Sequence, residues 1–143
     1  MGGVAALRGK RVYLDANVFI YAVEHSPEHA AFIDGLFDLL EAREVAAVTS
    51  ELTLAEVLAK PFEDGRADLA RLYEEMVAPS AWLSVVPVER AILVTAARLG
   101  PELGLKLPDA IHVASAAATG CELFLSNDRR LKMPNGITLT GLA

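Results

Sequence analysis

The strongest constraint on the fold of this chain is the alternation of short apolar, β-favouring segments with segments of helical spacing. The first apolar run, Val12 to Leu14, stops at Asp15 and is followed by a turn and a second apolar stretch that continues to Val23. Comparable short runs are EVAAVTS, WLSVVPV, CELFLS and GITLT. Strands alternating with helices at these lengths predict an α/β domain with a mostly parallel central sheet of four to five strands and helices on both faces.

Proline, glycine and capping residues indicate where the intervening helices begin and end. Ser26 and Pro27 have the types expected at an N-cap and a first helical position, which predicts a helix from there to about residue 43. The segment ELTLAEVLAKP predicts a helix that Pro61 interrupts, and EDGRADLARLYEEMVA predicts another amphipathic helix. Gly100 and Gly120 are expected to close the two helices that follow WLSVVPV.

The size and composition of the chain predict one globular domain. It has 143 residues, of which 53% are apolar and 22% are charged, and we expect the domain to cover residues 1–143. The start MGGVAALRG predicts a flexible lead-in over residues 1–9, and neither a signal peptide nor a membrane span is visible. Cys121 is the only cysteine, so no intramolecular disulfide can form. These features favour a soluble, cytoplasmic protein with no membrane partner.

Four acidic residues stand at the ends of apolar segments or within them. Asp15 closes the first strand and Asp128 follows the strand CELFLS, so a parallel sheet brings both to the same edge, where ligands bind in such folds. Glu56 lies in the helix after the second strand, and Asp109 opens the helix before CELFLS. Each has an ordinary explanation as a turn residue, a cap, a dipole partner or, for Glu56, a helix pair with Lys60. Because apolar residues surround Glu56, a buried carboxylate there is expected to need a partner, and all four acids are expected to share one cleft.

A cluster of carboxylates repels itself unless a cation lies among its members. Oxygen ligands without cysteine or histidine favour Mg²⁺ or Mn²⁺ over zinc. Such an ion can activate water and neutralise charge on a phosphodiester oxygen. The pattern therefore predicts metal-dependent hydrolysis of phosphodiester bonds.

Four stretches occur in a fixed order and together extend across nearly the whole chain: YLDANVFIY, TSELTLAEVL, LPDAIHVASA and LSNDRRL. In this ordered set the sequence resembles the PIN-domain nucleases, particularly the small VapC-like toxins of toxin-antitoxin pairs. The resemblance implies a three-layer α/β/α sandwich and an endoribonuclease that depends on Mg²⁺ or Mn²⁺. It also implies a homodimer and a small antitoxin whose C-terminal segment enters the catalytic groove.

The same resemblance assigns roles to individual residues. It implies that the four acidic positions of the catalytic and metal site are Asp15, Glu56, Asp109 and Asp128. Asn17 and Ser126 match positions that carry supporting polar groups, whose ordinary alternatives are a turn residue and a strand-end hydroxyl. Asn127, adjacent to Asp128, is a further supporting candidate because it could share or replace the polar role of that acid.

The formal net charge of -6 argues against a protein that coats nucleic acid through a uniformly basic surface, but it allows a local basic rim. Basic residues close in sequence to the acids are candidates for contacts with RNA phosphates, with surface solubility as the alternative. These candidates are Lys60, Lys106, Arg129, Arg130 and Lys132.

Histidines offer a weaker signal. His25 and His29 have a spacing that suits a metal pair on one helix face, but the predicted helix start between them spoils that geometry. His112 follows Asp109 by one helical turn. It is either a hydrogen-bonded core residue or a donor to a carboxylate or phosphate at the cleft.

Several other functions remain open from the sequence. An aspartyl-phosphate phosphatase would need a second acid two residues after Asp15, where this chain has Asn17. A metal-independent ribonuclease would use histidines and the 2′-hydroxyl of its substrate. A catalytically silent PIN-like module that binds RNA or a partner protein, and a structure-specific DNA nuclease, are the remaining alternatives. No sequence feature distinguishes one class of RNA substrate from another.

Overall fold

Five strands form one parallel sheet in a computed structural model that describes residues 3–142. The strands are β1 (Arg11–Leu14), β2 (Ala46–Ser50), β3 (Leu83–Val86), β4 (Leu123–Leu125) and β5 (Thr138–Thr140). They lie in the order β3-β2-β1-β4-β5, and every neighbouring pair is parallel. This confirms the predicted α/β class and the number of strands.

In the described part of the chain, six α-helices lie in the connections between successive strands from β1 to β4. They are α1 (Ala16–Glu24), α2 (Ala30–Glu41), α3 (Glu51–Glu63), α4 (Ala67–Met76), α5 (Arg90–Leu103) and α6 (Leu107–Ala118). Within residues 3–142, none of the helices has the length and apolar character that crossing a membrane requires.

The sheet separates two hydrophobic cores, because successive strand residues face opposite sides. Val12 and Leu14 of β1 pack with residues of α1 to α4, whereas Tyr13 packs with residues of α5 and α6. In β4, Leu125 and Phe124 divide between the cores in the same way. The architecture is therefore the three-layer α/β/α sandwich that the sequence predicts.

The strand order places a crevice next to β1. The chain builds outward from β1 to β2 and β3, then crosses to the other side of β1 to form β4 and β5. The carboxyl ends of β1 and β4 therefore lie at a reversal of strand order, which is where open parallel sheets bind ligands. The Asp15 amide, just after β1, donates a hydrogen bond to the Leu125 carbonyl at the end of β4 (3.4 Å), which joins the two strand ends.

The predicted start of α2 at Ser26 and Pro27 is wrong, since the helix begins at Ala30. The cause is the end of α1. His25 adopts a left-handed conformation (φ 54°), and the Ser26 amide donates to the Tyr21 carbonyl (3.2 Å). Ser26 therefore completes the preceding helix and does not cap the following one.

Two further helix ends differ from prediction. Helix α3 continues through Pro61 to Glu63, because a proline this near the end removes only one of the last backbone bonds. Helix α5 continues through Gly100 to Leu103, and Gly104 (φ 65°) provides the left-handed cap. A Cβ atom on Gly100 would lie 3.3 Å from the Leu105 carbonyl oxygen, which is a tight contact, and 3.8 Å from Cβ of Ala110 on α6, which is an ordinary packing distance.

The predicted flexible lead-in over residues 1–9 needs correction for residues 3–9, while residues 1 and 2 lie outside the described part of the chain. Gly3–Leu7 forms a 3-10 helix, and the Leu7 side chain is fully buried in the core that covers α1 to α4. Val4 packs against the same core next to Gly35, where an added Cβ would meet the Val4 side chain at 2.8 Å. Burial of apolar side chains is what fixes this segment.

Candidate active site

Asp15 stands where β1 ends and α1 begins. Its carboxylate accepts a hydrogen bond from the Asn17 amide (3.0 Å) and caps α1. The turn is tied to β2, because the Thr49 hydroxyl donates to the Leu14 carbonyl (2.8 Å). Partial burial raises the pKa of Asp15, against the opposing effect of hydrogen bonds from the Ser126 hydroxyl and the Asn17 amide. A nearby cation would therefore stabilise the ionised form of this carboxylate.

Asp109 lies in the first turn of α6, directly after Pro108. In the described chain, Lys106 is the N-cap residue of α6, and no side chain donates or accepts a capping hydrogen bond there. Instead, the Asp109 carboxylate lies close enough to Arg130 to help raise the pKa of that guanidinium. The structure therefore leaves Asp109 in the first turn, where an acid faces the helix dipole, and also brings it close to Arg130.

Asp128 follows β4 in a turn that Ser126 organises. The buried Ser126 hydroxyl accepts a hydrogen bond from the Asp128 amide (3.1 Å). The Asp128 carboxylate accepts hydrogen bonds from the backbone amide and Nε of Arg130, both at 3.1 Å. These bonds hold the pKa of Asp128 below its usual range. Arg130 therefore places a positive charge beside this acid.

Glu56 corrects one sequence expectation, because its side chain is 36% exposed and is not buried among apolar residues. Its Oε1 lies 2.7 Å from Nε2 of His112, which is buried. The other ring nitrogen of His112, Nδ1, lies 2.5 Å from the Tyr13 hydroxyl. Burial also raises the pKa of Tyr13, so its hydroxyl keeps its proton.

All four acids line one cleft of about 170 Å³ at the carboxyl edge of the sheet. They come from the end of β1, the middle of α3, the start of α6 and the turn after β4. The lining residues are Asp15, Ala16, Asn17, Glu56, Asp109, His112, Ser126, Asp128 and Leu131. The four acids therefore lie around one cleft, as the sequence predicts, and Asn17 and Ser126 lie beside them.

The donor chemistry of the cleft fits a hard divalent cation, since carboxylate oxygens approach it from four separate elements. Asp15 is partly buried with a raised pKa, and Asp128 already attracts a cationic side chain. In the present side-chain positions, however, residues 3–142 contain no group of three histidine, cysteine or acidic side chains that is close enough to hold an ion. Binding would therefore require small side-chain movements, including release of Asp128 by Arg130.

A second cavity of about 250 Å³ adjoins the acidic cleft and shares Asp109, Asp128 and Leu131 with it. Lys106 and Arg130 line this second cavity. The two cavities together form a groove with carboxylates at one end and two cationic side chains beside them. Such a groove can hold a phosphate next to a metal ion.

Other predicted residues lie elsewhere. The Asn127 Oδ1 accepts a hydrogen bond from the Leu142 amide (2.9 Å), and Asn127 is not among the residues that line the cleft. Lys60 Nζ lies 3.7 Å from Glu63 and 3.4 Å from Asp64. Within residues 3–142, Lys60, Arg129 and Lys132 do not line either cavity of the groove. Arg129 and Lys132 are exposed.

The sequence did not indicate Tyr13 as part of the site. In the sequence it is an ordinary residue of a predicted strand. The usable signals were that Tyr13 precedes Asp15 by two residues and that His112 follows Asp109 by one helical turn.

His25 and His29 do not share a helix face, because His25 is the C-cap residue of α1 and His29 is the N-cap residue of α2. The His29 ring stacks on Tyr21 with centroids 4.2 Å apart.

Comparisons with known proteins agree with this fold. A family model described as PIN domain matches residues 12–135. Among solved structures, DNA-bound VapBC from Salmonella typhimurium matches with a TM-score of 0.72 at 19% identity, covering 94% of this chain and 99% of that chain. VapBC2 from Rickettsia felis, bound to a promoter DNA fragment, has a TM-score of 0.71 at 15% identity, covering 92% and 98%.

A third solved structure is Mycobacterium tuberculosis VapC20, described as a toxin that cleaves the sarcin-ricin loop. Its TM-score is 0.64 at 14% identity, with 82% of this chain and 91% of that chain covered. At these identities the structural likeness concerns the fold alone. The comparison with curated protein sequences finds no match.

Proposed function

The chain belongs to the PIN-domain family, whose model spans residues 12–135, and we propose that it is a metal-dependent endoribonuclease. The observation that carries this proposal is the convergence of four carboxylates on one cleft at the carboxyl edge of the sheet. Three of the acids have one partner each that also orients them: Asp15 accepts from the Asn17 amide, Glu56 from the His112 ring and Asp128 from Arg130. Within residues 3–142, the Asp109 carboxylate has no hydrogen bond or salt bridge of its own, although it lines the same cleft.

Mg²⁺ or Mn²⁺ would be held by Asp15, Glu56, Asp109 and Asp128. When bound, such an ion supplies an activated water and neutralises charge on the phosphodiester oxygens. The chain's own contribution is to orient the carboxylates. The Asn17 amide fixes Asp15, and the Ser126 hydroxyl fixes the turn that carries Asp128.

The basic part of the groove suits the substrate. Lys106 and Arg130 line the cavity next to the acids and would contact phosphates on either side of the bond that is cut. Arg129 and Lys132 are exposed on the segment that follows Asp128 and would contact the RNA backbone further along. Lys60 forms salt bridges with Glu63 and Asp64, and it has no part in this proposal.

We also propose that the protein is the toxin of a toxin-antitoxin pair, that it forms a homodimer and that it acts in the cytoplasm. Support comes from fold relatives that are toxin-antitoxin complexes, among them VapBC of Salmonella typhimurium and of Rickettsia felis. A basic side chain of a small antitoxin would be attracted to the acidic cleft and would compete with the metal for its carboxylates.

Cleavage of labelled RNA and of DNA with the same sequence tests the proposed activity. The purified protein is incubated with each substrate in Mg²⁺, Mn²⁺ or EDTA, beside Asp109→Asn and the matched control Asp34→Asn. Asp34 is an exposed acid of α2 outside the groove. Wild type and Asp34→Asn are expected to cut RNA only with a metal, and Asp109→Asn is expected to lose about 100-fold or more in rate.

Each alternative function has a distinct outcome in this assay. Cleavage that resists EDTA and leaves a cyclic phosphate would identify a metal-independent ribonuclease. Equal cleavage of DNA would identify a nuclease that does not discriminate by the 2′-hydroxyl. Binding of RNA without cleavage under every metal would favour the silent binding module and contradict the proposal.

A further inference from the structure

A buried hydrogen-bonded chain lies directly beneath the acidic cleft. It runs from the Tyr13 hydroxyl through both nitrogens of the His112 ring to the Glu56 carboxylate, with distances of 2.5 and 2.7 Å. Its three members belong to β1, α6 and α3. Tyr13 and His112 are 0% and 5% exposed, and both His112 and Glu56 line the cleft.

The direction of the hydrogen bonds follows from the groups at the two ends. A carboxylate only accepts hydrogen bonds, so Nε2 of His112 carries a hydrogen and donates a hydrogen bond to Glu56. In the neutral ring, Nδ1 is then a bare acceptor, and the Tyr13 hydroxyl donates to it.

We propose that His112 is a positioning residue, held by Tyr13, that fixes the Glu56 carboxylate for metal binding in the cleft. The Nε2–H donor restrains Oε1 of Glu56, and Glu56 is one of the residues that line the cleft. This inference rests on the proposed function, since it assigns Glu56 a task at the metal site.

Two features separate this arrangement from a histidine that merely fills the core. Both ring nitrogens are bonded, which fixes the tautomer and the rotation of the ring. The ring also joins three elements of the site, because His112 of α6 bonds to Tyr13 of β1 and to Glu56 of α3. Its position therefore bears directly on that of the Glu56 carboxylate.

The chain offers a set of graded variants. Tyr13→Phe keeps the ring and removes the donor to Nδ1. His112→Phe removes the donor to Glu56, while His112→Gln can return an N–H to the same place. Tyr73→Phe is the matched control, because Tyr73 is a tyrosine of α4 that is 3% exposed and packs in the other core.

The first readout is independent of catalysis. Ring ¹⁵N NMR of the metal-free protein is expected to show the Nε2–H tautomer of His112 in wild type and in Tyr73→Phe. Tyr13→Phe is expected to change the Nδ1 signal, because that nitrogen loses its donor. A wild-type ring that carries its proton only on Nδ1 would overturn the inference.

The second readout is Mn²⁺ affinity. Loss of a hydrogen-bond partner behind a metal ligand typically weakens metal binding by about 10–100-fold. We expect this loss in His112→Phe, a smaller loss in Tyr13→Phe, near wild-type affinity in His112→Gln and no change in Tyr73→Phe. In a Glu56→Gln background, His112→Phe is expected to add little, since it acts through Glu56.

The outcomes separate this inference from the proposed function. If wild type binds Mn²⁺ and cuts RNA but folded His112→Phe and Tyr13→Phe bind Mn²⁺ as tightly, only the positioning role of His112 is overturned. If wild type neither binds Mn²⁺ nor cuts RNA, the proposed function fails and the inference fails with it. Should His112→Phe not fold, Tyr13→Phe and His112→Gln still decide between these outcomes.

Discussion

The side chains that line the cleft make few hydrogen bonds within residues 3–142, and Asp109 makes the fewest of the four acids. Asp109 lies in the first turn of α6, where its charge can interact with the helix dipole, but within residues 3–142 no side chain caps that N-terminus. Loss of its charge should therefore cost the helix no more than the dipole interaction, about 0.3–1 kcal/mol. Asp109 also lines the groove, and that is the role that we propose for it.

Asp109→Asn is accordingly expected to leave thermal stability nearly unchanged. The substitution removes charge but no capping hydrogen bond, so the Tm is expected to stay within about 2 °C of wild type. Differential scanning calorimetry in EDTA measures this. A large drop in Tm would show that Asp109 does stabilise the start of α6.

Replacing Asp15, unlike Asp109, is expected to change the stability of the fold, because burial raises the pKa of Asp15. The folded chain then binds a proton at Asp15 more tightly than the unfolded chain does. The contribution of Asp15 to stability is therefore present at low pH and is lost as the pH rises from the ordinary value of 3.8 through the raised value. At neutral pH, ionised Asp15 makes the metal-free fold less stable.

Asp15→Asn retains a side-chain oxygen for the Asn17 amide and removes the buried charge. We expect the variant to be more stable than wild type at pH 7 in EDTA by about 1 kcal/mol, a usual size for stabilising replacements at active sites. Urea denaturation between pH 4 and 7 should show this difference shrinking as the pH falls. A difference that grows toward low pH would contradict burial as the dominant influence on the pKa of Asp15.

Arg130 is expected to compete with metal for Asp128. Its side chain is 91% exposed, so breaking the pair should change affinity by less than about tenfold. Arg130→Gln should bind Mn²⁺ somewhat more tightly than wild type and should also raise KM for RNA. Arg71→Gln, an exposed arginine of α4, is the control, and tighter RNA binding by Arg130→Gln would contradict the assigned role.

Among the secondary-structure elements, the N-terminal 3-10 helix is the one that differs most from its sequence-based expectation. Glycines and small residues made residues 1–9 look unfixed, but Leu7 is fully buried. Leu7→Ala is expected to lower the free energy of unfolding by about 2–5 kcal/mol, as large-to-small changes in cores do.

The control for that substitution is Leu72→Ala on α4, where the side chain is 52% exposed. A change within about 0.5 kcal/mol is expected there. Urea denaturation of the two variants compares them directly. Similar small effects at both positions would mean that the N-terminal segment does not belong to the folded core.

Strand and helix types were predictable because the alternation of apolar runs reports burial on both faces of a parallel sheet. Helix ends were less predictable, because Ser26, Pro61 and Gly100 act according to their neighbours. Ser26 bonds to α1, Pro61 lies near enough to the end of α3 to be tolerated, and Gly100 packs on α6. Those neighbours are known only from the tertiary structure.

The arrangement of the entire domain explains which site residues could be predicted. Parallel strands bring Asp15 and Asp128 to one edge whatever the details, so sequence position alone places them together. The Tyr13–His112–Glu56 chain depends on the packing of α3 and α6 around β1, which no local pattern reports. The bond from the Leu142 amide to Asn127 was unpredictable for a similar reason, because it joins positions 15 residues apart.

The most direct test of the site is Mn²⁺ binding by metal-free protein, followed through the EPR signal of free Mn²⁺. If the four carboxylates form one metal site, wild type and the control Asp34→Asn will bind Mn²⁺ with the same affinity. Asp15→Asn and Asp109→Asn will each bind at least about tenfold more weakly, in line with the loss of one charged ligand. Equal binding by all four proteins, or none by wild type, would contradict a metal site in this cleft.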